Sequence, residues 1–229
     1  MIFKDYEAIF TPKSIDDIVF ADPDTRYFLE DLITGAMPFP VTEGKCGILL
    51  YGLPGTGKSA LAKLLPEAIT QARGGTGANE RYVRVQPGSN GLEMLEKIAN
   101  QVQTYPSGLY HYIVLDEVDN LNANAMAVLK SVMNYSNTIW VLTTNHINKI
   151  EAGIRNRCHC IAFNAAPAAS WLPLARRILA HAGVSGIPDA QLIAVINPCN
   201  GSARDIVTTI VSVALRARRA AQSQLLAVP

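Results

Sequence analysis

Gly52-Leu53-Pro54-Gly55-Thr56-Gly57-Lys58-Ser59 follows the apolar run Gly47-Ile48-Leu49-Leu50-Tyr51 and precedes Ala60-Leu61-Ala62-Lys63-Leu64-Leu65. A glycine loop therefore joins a predicted strand to a predicted helix, the setting in which G-x-x-x-x-G-K-[ST] cradles phosphate. By chance the pattern arises on the order of once in a hundred chains of this length, before the flanking elements are required. Glycines at 52, 55 and 57 permit backbone angles that side chains forbid, so successive N–H groups can converge on a phosphate while the helix points its positive end there. Gly52, Pro54, Gly55, Thr56, Gly57, Lys58, Ser59 and Ala60 are thus the expected nucleotide cradle. Lys58 would place a point charge on the β- and γ-oxygens, and the Ser59 hydroxyl can take one coordination position on Mg²⁺.

Such a loop serves many enzymes, and the next carboxylates narrow the choice. Tyr112-Ile113-Val114-Leu115 is a continuous apolar run, as expected of a parallel strand buried on both faces, and it ends in Asp116-Glu117. Its C-terminal end is expected to meet the phosphates. Asp116 would hold Mg²⁺, and Glu117 would polarise the water that attacks the γ-phosphorus of ATP, since hydrolysis needs a carboxylate for each task. Val118-Asp119-Asn120 reads as a turn, and Asn122 to Tyr135 has apolar residues at helical spacing. The next strand, Thr138 to Thr143, runs into Thr144-Asn145. Asparagine after a strand is a common turn residue. Its order here, after the phosphate loop and the Asp-Glu pair, favours Asn145 as a group that orients the lytic water.

With these segments in hand, the chain resembles the AAA+ ATPases and, within them, the clamp-loader small subunits. Phe10-Thr11-Pro12-Lys13-Ser14-Ile15-Asp16-Asp17-Ile18-Val19 is similar to the clamp-loader opening Y-R-P-K-x-L-D-D-I-V, which folds over the adenine. The resemblance makes Pro12, Ile18 and Val19 the candidate base contacts; Thr11 stands where the family has arginine, and Phe20-Ala21 replaces Gly-Gln. Leu115-Asp116-Glu117-Val118-Asp119 is close to L-D-E-A-D, and Thr143-Thr144-Asn145 is similar to the sensor-1 segment. Ile154-Arg155-Asn156-Arg157-Cys158 resembles I-x-S-R-C, with asparagine in place of serine. That likeness implies that Arg157 is an arginine finger reaching a neighbouring subunit's γ-phosphate, with Arg155 the nearby alternative. Gly201-Ser202-Ala203-Arg204-Asp205 is similar to G-x-x-R of the family's helical lid, which makes Arg204 the sensor-2 position, contacting the γ-phosphate in cis.

The order of elements predicts class α/β, with a doubly wound parallel sheet over residues 1–165 and a small all-helical lid domain over 166–229, which the resemblance implies is a P-loop NTPase (AAA+) fold. The predicted boundary lies at Asn164 to Ser170, after a strand from Cys160 to Phe163, and the predicted lid helices are Trp171 to Ala182, Pro188 to Ile196 and Ser202 to about Ala221. Glu80 to Gln86 reads as a strand and Gly91 to Val102 as an amphipathic helix, with Ala72 to Asn79 a surface loop. Pro66 is expected to kink or end the helix that begins at the phosphate loop.

Charge and cysteines exclude several classes. The 229 residues carry 20 Lys+Arg against 19 Asp+Glu, so no global field argues for nucleic acid, and Arg216, Arg218 and Arg219 read as a solvated helix face. Four cysteines are too scattered for a disulfide scaffold, and Cys158-His159-Cys160 lacks the second pair a structural zinc needs. Neither a signal peptide nor a membrane span is expected, which reads as a cytoplasmic protein with reduced thiols. The resemblance runs through the lid, where clamp-loader subunits continue into a helical collar of about 100 residues. An abbreviated loader, a relative with another client and a piece of a longer chain all remain open.

The resemblance implies ATP and Mg²⁺ as ligands, a homo- or hetero-oligomer formed through the Arg157 face, and a sliding clamp or primed DNA as client. A remodelling ATPase acting on a protein partner, such as a regulator or transposition factor, is the second reading. An adaptor that binds ATP structurally and only builds a ring is the third, and the set Lys58, Glu117 and Arg157 argues against it.

Overall fold

The computed structural model describes residue 3 and residues 9–88 and 91–226, with side chains characterised through residue 221. Five strands, β1 (Gly47–Tyr51), β2 (Asn79–Arg84), β3 (His111–Asp116), β4 (Thr138–Thr144) and β5 (Cys158–Ala162), form one sheet in the order β2-β3-β4-β1-β5, every pair parallel. Parallel neighbours need crossovers, and helices cover both faces of the sheet. These are α1 (Pro23–Thr34), α2 (Lys58–Ala72), α3 (Leu92–Val102), α4 (Ala123–Val132) and the short α5 (Ala152–Asn156).

Strand alternation divides the core in two. Ile48 and Leu50 of β1, Tyr112 and Val114 of β3, and Ile139 and Val141 of β4 pack with Leu29 and Leu32 of α1 and Leu61, Leu65 and Ile69 of α2. Leu49, Ile113, Leu115, Trp140 and Leu142 point the other way, onto Leu95 and Ile98 of α3 and Met126 and Leu129 of α4. Every residue of β3 and β4 is buried, and Tyr112 to Leu115 of β3 form the continuous apolar run read from the sequence.

The C-terminal helices α6 (Leu172–His181), α7 (Asp189–Ile196) and α8 (Ala203–Leu226) build their own core from Trp171, Ile178, Leu192, Ile206 and Ile210. This is the helical lid expected from the sequence. Residues 10–21 straddle the two units: Phe10 is buried in the lid core, while Ile18 joins the sheet core and Phe20 stacks edge-on with Phe163 at 5.7 Å. Arg177 of α6 donates to Asp17 Oδ1 at 2.7 Å, and the Lys13 backbone N–H donates to Asp17 Oδ2 at 3.0 Å. The Arg177 hydrogen bond, followed by that from Lys13, holds the Asp17 carboxyl below its usual value against the opposing effect of burial.

Three local expectations are corrected. Pro66 does not end its helix: α2 continues to Ala72 because Leu61, Leu65 and Ile69 keep one buried stripe against the sheet on both sides of the proline. β5 begins at Cys158 rather than Cys160, since Gly47 of β1 pairs with Cys158 and draws the earlier residues into register. α8 extends to Leu226 rather than stopping near Ala221. All four cysteines are free thiols, and burial raises Cys46 to about 11.

Candidate active site

A cleft of about 570 Å³ opens where the loops after β1, β3 and β4 meet the start of α8. Open parallel sheets bind ligands at this carboxyl edge. Its lining takes in Pro54, Gly55, Thr56, Gly57, Lys58, Ser59 and Ala60 from the phosphate loop, Asp116 and Glu117 after β3, and Asn145 after β4. Pro12, Ile18 and Val19 line it from the opening segment and Arg204 from the lid. Gly52 and Arg157 are the two expected site residues that do not.

Gly52 answers to packing instead. At φ +142° a Cβ there would lie 2.6 Å from the Phe163 carbonyl oxygen, so only glycine lets the loop turn away from the sheet at this point. Gly55, at φ +81°, faces the lid: a Cβ would come within 2.8 Å of Ser202 Oγ, and the Gly55 carbonyl accepts the Ala203 N–H at 2.8 Å. The phosphate loop and the first turn of α8 are therefore in direct hydrogen-bonded contact, and Arg204, exposed on that turn, faces the same cleft.

Lys58 is buried, and its ammonium donates to the carbonyls of Gly52 at 3.0 Å and Leu53 at 2.6 Å. Burial lowers its pKa, with Asp116 and Asp119 pulling the other way. Asp116 is only 2% exposed and accepts three hydroxyl hydrogen bonds. Ser59 donates to Oδ1 at 2.7 Å, Thr143 donates to the same oxygen at 2.5 Å, and Tyr82 donates to Oδ2 at 2.8 Å. Burial pushes this carboxyl up, but the hydroxyls of Thr143, Ser59 and Tyr82 outweigh it and hold Asp116 below its ordinary value as an ionised acceptor. The adjoining Ser59 hydroxyl and Asp116 carboxylate make an all-oxygen donor pair that fits a hard cation such as Mg²⁺.

Glu117 behaves differently. At φ 61° it occupies the left-handed region, and its backbone N–H donates to Thr143 Oγ1 at 3.0 Å. Its carboxylate meets Arg84 Nη2 at 2.7 Å through Oε1 and accepts from Asn120 Nδ2 at 3.4 Å through Oε2. The turn out of β3 thus sends two successive carboxylates into separate settings, one enclosed by hydroxyls and one half-open beside a guanidinium. Asn145 is exposed at the end of β4. Its neighbour Thr144 is tied down, donating to Asp119 Oδ1 at 2.8 Å and accepting from the His146 N–H at 2.9 Å.

Arg157 lies at the other end of the sheet. It immediately precedes β5, whose first residue pairs with Gly47, whereas the phosphate loop follows the last residue of β1, Tyr51. Five residues of strand, at about 3.3 Å each, separate the two levels by roughly 15 Å. The Arg157 side chain donates to Asn134 Oδ1 at 2.9 Å and to the Gly153 carbonyl at 2.9 Å. Arg155 is half-buried in α5, and its Nε is enclosed without a hydrogen-bond partner.

Four participants escaped the sequence reading: Tyr82, Arg84, Thr143 and Asp119. The alternation of Glu80 to Gln86 held a usable signal, because Tyr82 and Arg84 are two apart and so share a face of β2, but nothing local says that this face meets Asp116 and Glu117.

A strand–glycine loop–helix bearing a buried lysine, with a buried aspartate at the end of a neighbouring parallel strand, defines a P-loop nucleotide-binding protein. Residues 48–164 match the family described as "ATPase family associated with various cellular activities (AAA)", and the chain belongs to that family. Among curated proteins it is similar to replication factor C small subunit 2 of Pyrobaculum islandicum, 28% identical over 185 residues, which are 79% of this chain and 55% of that protein. It is likewise similar to replication factor C small subunit 2 of Pyrobaculum arsenaticum, 26% identical over 88% of this chain and 60% of that protein. The chain therefore spans a little over half the length of these relatives. Among solved structures, a Thermotoga maritima RuvB variant shares the fold with a TM-score of 0.68 at 16% identity, covering 92% of this chain and 65% of that one. Among the described residues no helix is long and apolar enough to cross a membrane.

Proposed function

We propose that this chain is an ATP-hydrolysing AAA+ protein of clamp-loader type, in which ATP closes an oligomer around a sliding clamp or primed DNA in the cytoplasm and hydrolysis releases it. The observation that carries the hydrolytic part is the gathering of Lys58, Ser59, Asp116, Glu117 and Asn145 around one cleft. The clamp-loader part rests on the replication factor C relatives, whose likeness covers 79% and 88% of this chain.

In this reading Pro12, Ile18 and Val19 contact the base, and the loop from Gly52 to Ala60 wraps the phosphates, with Gly52 shaping the turn. Lys58 neutralises β- and γ-oxygens. Ser59 and Asp116 would hold Mg²⁺, which when bound screens the charge on the phosphate oxygens. Glu117 takes the proton of the attacking water, and Asn145 orients that water. Arg84 competes for the Glu117 carboxylate, so Glu117 must leave the ion pair before it can serve as base. Arg204 reports the γ-phosphate to the lid, whose first turn is already bonded to the phosphate loop. The proposed division into a nucleotide-binding unit, 1–165, and a lid, 166–229, is supported by the separate core of the C-terminal helices, to which Phe10 of the opening segment also belongs.

Arg157 cannot serve its own pocket from the opposite edge of the sheet, which supports its use in trans. The testing experiment measures ATPase turnover with and without a sliding clamp and primed-template DNA. Stimulation by clamp and primed DNA together supports clamp-loader type; turnover that responds to neither contradicts it.

A further inference from the structure

Asp116 is restrained from two sides, and the two sides are unequal. Ser59 and Thr143 both hold Oδ1, and Ser59 belongs to the phosphate loop. Among the described residues only Tyr82 holds Oδ2. Tyr82 stands on β2, the edge strand of the sheet, with its ring at the cleft wall and Lys63 Nζ 4.4 Å from the ring centroid. A carboxylate can turn about its terminal bond, a torsion with a broad profile, so bonds to one oxygen alone leave its plane loosely set. A donor on the second oxygen fixes the plane. Groups that fix a metal-ligating carboxylate in this way change metal affinity as the ligands themselves do.

We propose that Tyr82 is a positioning residue for the cation: its hydroxyl sets the plane of the Asp116 carboxylate, so that this side chain and Ser59 present their oxygens to Mg²⁺ together. The inference rests on the reading of Ser59 and Asp116 as the Mg²⁺ ligands. Tyr82 touches neither phosphate nor water in this role and acts only through Asp116. Lys63 is assigned to the ring, over whose face its ammonium sits.

The test uses the whole chain loaded with a fluorescent ATP analogue, with Mg²⁺ titrated by the analogue's signal and Mn²⁺ binding read independently by electron paramagnetic resonance. Tyr82→Phe keeps the ring and removes the hydroxyl. It is expected to bind the analogue as wild type does in EDTA and to need about 10–100-fold more metal for half-saturation in both titrations. Tyr82→Leu, which removes ring and hydroxyl together, is expected to show the same shift. Metal titrations of Tyr82→Phe that superimpose on wild type overturn the assignment, as does a shift in Tyr82→Leu with none in Tyr82→Phe. A wild-type chain whose affinity for the analogue is indifferent to Mg²⁺ overturns the cation reading itself, an outcome separable from the failure of Tyr82 alone.

Discussion

At the C-terminal edge of the sheet, Lys58, Asp116, Glu117, Asn145 and Arg204 meet around a single cleft, whereas Arg157 lies at the N-terminal edge, bonded to Asn134 and Gly153 of its own chain. The first edge gathers charge around an open cleft: a buried ammonium, a carboxylate enclosed by hydroxyls and a half-open carboxylate beside Arg84. The second holds a cation that its own cleft cannot use. In a stacked oligomer one copy's N-terminal edge can meet the next copy's cleft, and the two edges then complete one another. A parallel sheet suits this arrangement, because all of its strand ends of one kind lie on one side and a short turn after each is enough to build a site.

The largest test of this contrast is Arg157→Ala. Removal of an arginine finger costs about 10³–10⁵ in turnover, so the variant is expected to retain nucleotide affinity, measured by equilibrium binding, while its steady-state ATPase falls by that order. Loss of binding in step with turnover would instead place Arg157 in the fold of its own chain, through the bonds to Asn134 and Gly153. Next comes Glu117→Gln, which leaves the cradle intact and removes the proposed base. Turnover is expected to fall by about 10²–10⁴ with ATP retained tightly, read from single-turnover kinetics.

Smaller effects sharpen how the cleft is held together. Thr143→Val deprives Asp116 Oδ1 of one donor and the Glu117 N–H of its acceptor. A loss of about 1–3 kcal/mol in unfolding free energy is expected by urea titration, since a buried polar partner is left unsatisfied. Smallest is the link between the opening segment and the lid. Asp17 has a folded-state pKa below its unfolded value, so its contribution is fully present above the unfolded value of about 3.9 and is lost as pH falls through the lower folded one. Stability curves of wild type and Asp17→Asn are expected to converge across that acid window and to differ slightly above it, because the Arg177 partner is half exposed to solvent.

How far the sequence foretold these features depended on the range of each interaction. The phosphate loop and the run Tyr112 to Leu115 declare themselves because period and composition are local, and the buried strands β1 and β3 followed directly. The edge of β5 was misplaced because Cys158 and His159 carry no strong local preference and are recruited by pairing with β1. Pro66 did not end its helix, because a helix penalty is local, while the buried stripe that outweighs it is tertiary. At the site, the cleft residues named from motifs are those whose own chemistry suits a phosphate, a cation or a water. Tyr82, Arg84 and Thr143 went unseen because they touch other side chains, and their partners are 34, 33 and 27 positions away in sequence.

The central claim is that one cleft needs two copies of the chain, and the most direct measurement is ATPase activity per subunit across a wide range of protein concentration, repeated with a mixture of Arg157→Ala and Lys58→Ala. Activity per subunit that climbs with concentration, and two inactive variants that regain turnover on mixing because an intact arginine meets an intact pocket, are the predicted results. Constant activity per subunit down to high dilution, or a mixture as inert as its components, would contradict it.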